Sequence, residues 1–325
     1  MARPILVGYD PRTRDRAPVD LGVTMARLTE APLVVASVQK GHGPRAIALS
    51  HEQVLPFAIV QPDDDLVHDC APQIDEIRTE LEPYGIDTNC VTLFGTSAAG
   101  ALHDAAEEHG AGLLVVGSGK RAHGGRVLAG STAARLLSGA PCPVAVAPSG
   151  RSREELPKTI GAAFRDTEDG REALRAALML ARRARAHLRV VTVVEEGLRA
   201  ALQAEPSYIE SRRGTTLEDV IGEYELFARR SAETALAELE GHDEVGSEVE
   251  SWVGEPAQLL IEFSKRLDML VCGSRGYGPV RSVLLGGVSS QVVAAAQCPV
   301  TVVPRGRESR LELLLAEAPG VAARA

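Results

Sequence analysis

Aromatic side chains are scarce in this chain: Phe, Trp and Tyr together make up 3% of its 325 residues, and there is one tryptophan. A core without bulky rings must be filled by Val, Leu, Ile and Ala, and 45% of the residues are hydrophobic. Such filling suits parallel strands buried on both faces beneath Ala-rich helices. No apolar run approaches the roughly 20 residues needed to span a bilayer. The opening MARPILVGYD turns polar after one short strand, unlike a secretory leader. The expected location is therefore the cytoplasm. A cationic excess is also lacking. The net charge of -9 disfavours nucleic acid or an anionic membrane surface as the main partner. The five cysteines (Cys70, Cys90, Cys142, Cys272 and Cys298) show no CxxC spacing. Cys142 and Cys298, each before a Pro-Val strand, read as small buried apolar residues rather than ligands or nucleophiles. No Ser with a credible His base, no spaced carboxylate pair and no Walker Lys-Ser/Thr pair is present, so no catalytic set emerges. Any nucleotide turnover should be slow.

What the chain does have is a segment written twice. GSGKRAHGGRVLAGST starts at Gly117 and GSRGYGPVRSVLLGGVS starts at Gly273. Each follows a short apolar run, LLVV or MLVC, and each leads to CPVAVAP or CPVTVVP. With a shift of about 155 residues further pairs align: Ile5 with Ile160, Leu33 with Leu188, Val38 with Val193, Gly130 with Gly286. The shared order points to two copies of one domain.

Periodicity predicts strands at about 4–9, 33–39, 89–94, 112–117 and 143–147, and again near 158–164, 187–194, 247–253, 268–273 and 299–303. Helical patterns lie near 16–30, 66–82, 98–109 and 131–138, then 168–185, 216–240, 256–266 and 288–296. Alternation of this kind implies right-handed crossovers and a parallel sheet. The fold expected is α/β: two doubly wound, Rossmann-like, five-stranded domains. The domains are placed at 1–150 and 158–304, with a linker at 151–157 and a tail at 305–325. In the tail, LELLLAEA could form a short amphipathic helix. The Pro-, Gly- and His-rich stretch 41–65 and its counterpart 195–215 read as surface excursions.

Ligands of an open parallel sheet sit beyond the carboxyl ends of its strands, where strand order reverses. Two loops meet there in each half, one after the first strand and one after the fourth. Glycines in the second loop let backbone N–H groups approach phosphate oxygens. The later glycine opens a helix whose N-terminus favours an anion. A carboxylate after the first strand suits the ribose or base end of a nucleotide. A plain tight turn and helix cap would explain any one such loop, but spacing, strand context and duplication coincide here. GYG at Gly276–Gly278 is no dinucleotide fingerprint, because it closes the fourth strand and not the first.

Gly, two residues, Gly, nine residues, Gly, then Ser or Thr resembles the ATP-binding motif of the universal stress protein family. ILVGYD, LVVASV, VTLFG, LLVVGS, PCPVAVAP and WVGEPAQLLIEFSKRLDMLVCGSRG extend the resemblance over nearly the whole chain. It implies an adenine nucleotide alpha hydrolase-like fold with strand order 3-2-1-4-5, and a cytoplasmic stress-response protein that binds ATP, with or without Mg, as a regulatory ligand. It further implies dimer-like packing of the terminal strands, with Val144 and Val146 of one half against Val300 and Val302 of the other half or of another chain. Carried over residue by residue, the nucleotide residues of the first half are Asp10, Val38, Gly117, Gly130 and Ser131, with Lys120 replacing the second glycine. In the second half they are Val193, Gly273, Gly276, Gly286 and Ser289. There Gly287 replaces the Ser and Arg165 stands where the family has Asp. Asp166, one place late, is the acid a small loop adjustment would supply. The resemblance leaves open whether one, both or neither half binds. A nucleotide-free interaction scaffold and a slow ATPase stand as alternatives.

Other clusters have plainer readings. DDDLVHDC at Asp63–Cys70 reads as a solvated helix start rather than a metal site. His103 and His109, six apart, do not share a helical face. The basic residues Arg121, His123, Arg126, Arg275 and Arg281 lie beside the glycine loops, and ARRARAH at Ala181–His187 reads as a solvated helix end.

Overall fold

The computed structural model describes residues 3–40, 48–49, 71–118, 130–150, 155–205, 207–210, 212, 214–274 and 286–304. The first half runs β1 (Ile5–Gly8), α1 (Ala17–Thr29), β2 (Leu33–Lys40), β3 (Ala48–Leu49), α2 (Ala71–Leu81), β4 (Thr88–Gly95), α3 (Ala98–Glu108), β5 (Leu113–Gly117), α4 (Ser131–Leu136) and β6 (Val144–Ala147). The second runs β7 (Thr159–Phe164), α5 (Glu168–Ala184), β8 (His187–Glu195), α6 (Glu196–Ala204), α7 (Ser207–Glu210), α8 (Leu217–Ala237), β9 (Ser247–Gly254), α9 (Pro256–Ser264), β10 (Met269–Gly273), α10 (Gly287–Ala295) and β11 (Val300–Val303).

Local sequence explains why these elements start where they do. Pro18 sits in the first turn of α1, where no backbone donor is lost. Thr167 caps α5 by accepting the Gly170 N–H, and Thr216 and Asp219 form a reciprocal capping box on α8. The inner strands are apolar on both faces: Leu113–Val116 of β5 and Met269–Cys272 of β10 are all buried. They therefore require helices on both sides.

Among the described residues the strands form one 11-stranded sheet in the order β3-β4-β2-β1-β5-β6-β11-β10-β7-β8-β9. Leaving out β3, each half has the order 3-2-1-4-5 and is parallel throughout. The halves meet where β6 and β11 pair antiparallel, with Val300 opposite Val146, Thr301 opposite Ala145 and Val302 opposite Val144. The four valines thus pair within a single chain. Their alternation feeds two cores, each running through both halves. Val144, Val146, Val300 and Val302 face Leu136 and Val292, while Ala145, Ala147 and Val303 face the side covered by α1 and α5. Because the seam is antiparallel, the carboxyl ends of the two halves' strands point in opposite directions.

The predicted strands and helices are present, with ends shifted by a few residues, as fraying and caps allow. Two stretches depart from expectation: within the excursion 41–65, Ala48–Leu49 form β3 and pair antiparallel with β4 as a sixth strand of the first half, and a second departure lies in the other half. Residues 195–215, read as a surface excursion, include α6 and α7. Leu202 of α6 is buried with Val220 and Ile221, and Leu198 and Ile209 pack against them. The i, i+4 spacing of Leu198 and Leu202 was the signal for that helix. Most of 41–65, the acidic run at Asp63–Cys70, the basic loop residues Arg121, His123, Arg126, Arg275 and Arg281, part of the linker and the 305–325 tail lie outside the described residues.

The seam yields a prediction. Val300 is fully buried, so Val300→Asp places an unpaired carboxylate between the halves. Stability should fall by about 3 kcal/mol or more, and calorimetry should resolve separate transitions for the two halves. A single transition at the wild-type midpoint would contradict this role of the seam.

Candidate functional site

In the first half, β1 lies between β2 and β5, with Gly8 opposite Ala36 on one side and Val116 on the other. Asp10, Val38 and Gly117 therefore emerge at one end of the sheet, at the switch point between neighbouring strands. Asp10 closes a compact turn: its carboxylate accepts from the Arg12 N–H at 3.1 Å and from Arg12 Nε at 2.9 Å, and its carbonyl accepts from Thr13 Oγ1 at 2.8 Å. Val38 is half-buried, opposite Leu93. Among the described residues the closest atom to a Cβ built on Gly117 is Pro18 Cγ at 3.5 Å, an ordinary contact. Ser118 Oγ accepts from the Ser149 N–H at 2.9 Å. Gly130 precedes α4 in extended conformation and offers no side-chain cap, and Ser131 is exposed at the first helical position. Such a helix start presents N–H groups suited to an anion. Lys120 lies outside the described residues.

The second half holds the same positions differently. β7 lies between β8 and β10, but its connection to α5 is residues 165–167, against 9–16 in the first half. The short loop folds tightly: the Thr167 N–H reaches the Arg165 carbonyl at 2.7 Å. A Cβ on Gly170 would lie 2.0 Å from that carbonyl oxygen, so only glycine fits. The first turn of α5 is consequently drawn onto the end of β10. A Cβ on Gly273 would lie 2.4 Å from the Asp169 carbonyl oxygen. Asp169 holds the helix position that Pro18 holds in α1.

The remaining second-half residues are engaged with the protein itself. Arg165 Nη1 stands 3.7 Å from Glu195 Oε1 at the end of β8. Asp166 accepts from Arg171 Nε at 2.7 Å and from Ser231 Oγ on α8 at 2.8 Å, and Arg171 Nη1 also reaches Glu238 at 2.8 Å. The bonds from Arg171 and then from Ser231 hold the Asp166 carboxyl below the ordinary carboxylate range. Asp166 thus braces α5 against α8 rather than standing in for an acid at the end of β7. Val193 is half-buried opposite Trp252, and Ser289 Oγ donates to the Gly273 carbonyl at 2.8 Å. Gly286 precedes α10 and Gly287 opens it, with open space where a Cβ would stand. Gly276 lies outside the described residues. Sequence reasoning did not single out Asp169, Arg171, Glu195 or Ser231. The usable signal was the helical pattern starting so soon after the first strand of the second half.

Other candidates have structural partners. Cys142 and Cys298 are buried, and burial pushes the neighbouring Cys272 thiol up to about 12. His103 Nε2 lies 3.0 Å from the Gly139 carbonyl. Among the described residues no group of three or more His, Cys, Asp or Glu could hold a metal ion, and no helix is long and apolar enough to cross a membrane. A cavity of ≈ 40 Å³ lies at the junction of the halves, lined in part by Asp20, Thr24, Pro148, Pro157 and Met269. It is far below the roughly 300 Å³ at which ligand pockets begin.

With this geometry in hand, the comparisons with known proteins decide the family. The model of the universal stress protein family matches residues 1–148 and again 157–304. The chain belongs to that family, with two copies in tandem. A universal stress protein of Mycobacterium tuberculosis is 26% identical over 311 residues, covering 92% of this chain and 99% of its own. Among solved structures, a Pseudomonas aeruginosa protein described as functionally unknown has a TM-score of 0.64 at 17% identity, covering 97% of this chain and 96% of its own. A universal stress protein from Archaeoglobus fulgidus has a TM-score of 0.57 at 17% identity, covering 94% and 100%. At these identities the structures establish the α/β fold across both halves. The chain is thus a member of a family of stress-response proteins.

Two predictions rest on the contrast between the halves. Gly273→Ala should destabilise the protein by about 1–3 kcal/mol, because a backbone carbonyl must move. Gly117→Ala should change stability by no more than about 0.5 kcal/mol. Urea denaturation distinguishes them, and equal effects would contradict the packing described. The second concerns Asp166, whose folded carboxyl has a lowered pKa. It contributes stability above the unfolded value, and that contribution fades as pH falls through the folded one. Asp166→Asn should lower stability at pH 7 by a few tenths to about 1 kcal/mol, given the exposure of the pair. The difference should narrow as pH falls from the ordinary Asp value towards the lowered folded one. A pH-independent difference would contradict the ion-pair account.

Proposed function

We propose that this universal stress protein binds ATP, or a related adenine nucleotide, as a regulatory ligand at the carboxyl end of its parallel strands. The observation that supports the reading most is the first-half switch point. There the acidic Asp10 turn, half-buried Val38, unobstructed Gly117 and the uncapped start of α4 at Gly130–Ser131 share one end of the sheet. Asp10 and Val38 would meet the ribose and base, while Gly117, Gly130 and Ser131 would meet the phosphates. Phosphate charge is favoured by the N–H groups at the start of α4. Lys120 would add a cation, and Mg could accompany the phosphates.

In this reading the units are 1–150 and 158–304, joined by 151–157 and followed by the tail 305–325. The protein acts in the cytoplasm by changing conformation or partner choice with occupancy, and not by turnover. Since the terminal strands pair within the chain, self-association would use another surface. The competing reading is a nucleotide-free interaction scaffold, which the engaged second-half residues favour.

The test is direct. Protein purified under native conditions is denatured, and released nucleotide is identified by chromatography and mass. ATP is then added to nucleotide-free protein while melting is followed. Released adenine nucleotide, or a rise in melting temperature of several degrees at about 100 times Kd, is expected. Absence of both overturns the proposal. Phosphate release above a no-protein control that scales with ATP occupancy would instead favour the slow ATPase.

A further inference from the structure

We infer that nucleotide occupies the first half only, one molecule per chain, and that the matching loop of the second half serves as an internal brace. The inference rests on the nucleotide reading above and specifies which copy carries it. The reason is the length of one connection. Residues 9–16 hold α1 back from β5, and among the described residues the closest atom to a Cβ on Gly117 is a proline ring carbon at 3.5 Å. Residues 165–167 draw α5 forward, so that the Asp169 carbonyl oxygen lies 2.4 Å from the same position on Gly273. An electronegative oxygen at that place repels a phosphate where the first half offers room.

Three further groups in the second half point the same way. At the end of β7 the acid suited to a ribose is replaced by Arg165, which faces Glu195 at the end of β8. The sign of charge is therefore reversed at that position, from Asp10 to Arg165. The acid next in sequence, Asp166, is turned to Arg171 and Ser231, which tie it to α5 and α8. The hydroxyl of Ser289 is directed back onto the Gly273 carbonyl. A nucleotide entering here would have to displace Ser289 from that carbonyl and move the helix start. In the first half, by comparison, the Asp10–Arg12 pair joins residues two apart within one turn.

A matched pair of substitutions tests this. Ser131 and Gly287 are equivalent first residues of α4 and α10; both are exposed, and both tolerate Asp in a first helical turn. ATP binding to nucleotide-free full-length protein is measured by titration calorimetry for wild type, Ser131→Asp and Gly287→Asp. The expected result is one ATP per wild-type chain, binding at least tenfold weaker in Ser131→Asp, and binding within twofold of wild type in Gly287→Asp. Two ATP per chain, or one that is lost in Gly287→Asp and kept in Ser131→Asp, overturns the single-site assignment while leaving nucleotide binding intact. No ATP bound to any of the three removes both the assignment and the reading beneath it.

Discussion

The antiparallel pairing of β6 with β11 is the constraint on which the molecule depends. It joins two parallel five-stranded arrangements into one sheet and lets two apolar cores run uninterrupted from half to half. Each strand of the seam is buried on both faces, so neither half could leave this edge in water without exposing its valines and a row of backbone donors. The pairing also sets orientation. With the halves related by an antiparallel seam, the two strand-end sites face opposite ways, and one nucleotide cannot be shared between them.

Within that frame, the separate histories of the two copies are recorded in their first connections. A long loop before α1 leaves the glycine after β5 accessible. A short loop before α5 brings the helix start onto the glycine after β10. The consequence reaches beyond the loop, because Arg171 in the first turns of α5 links Asp166 to Glu238 of the segment closing α8. A region that in the first half is arranged like a ligand site has in the second become part of the packing between helices. Matching motif residues in a repeat thus have different surroundings when the connection before the helix differs in length.

The fold was legible because its signals are local and repeated. CPVAVAP and CPVTVVP marked the two seam strands, and the valines expected to face one another do. Strand–helix alternation implied a parallel α/β sheet, and the 3-2-1-4-5 order followed from the family resemblance. Helix α6 was missed because EEG suggested a loop, whereas Leu198 and Leu202 at helical spacing decide it through burial near Val220 and Ile221. At the candidate site, motif positions could be counted from the sequence, but side-chain direction could not. Asp166 reads equally well as a ribose acid one place late or as the partner of Arg171. Only the tight turn from Arg165 to Gly170, with no room for a Cβ, selects the second. Likewise Gly273 looks like a phosphate glycine in the sequence, and in the structure it lies close against the Asp169 carbonyl.

The central claim is that this tandem chain carries nucleotide in its first half. Photolabelling with an azido-adenine analogue of ATP, followed by peptide mapping, tests it most directly. The account predicts labelled peptides from residues 1–148 alone, suppressed by unlabelled ATP. Suppressible labelling within residues 157–304 would contradict it.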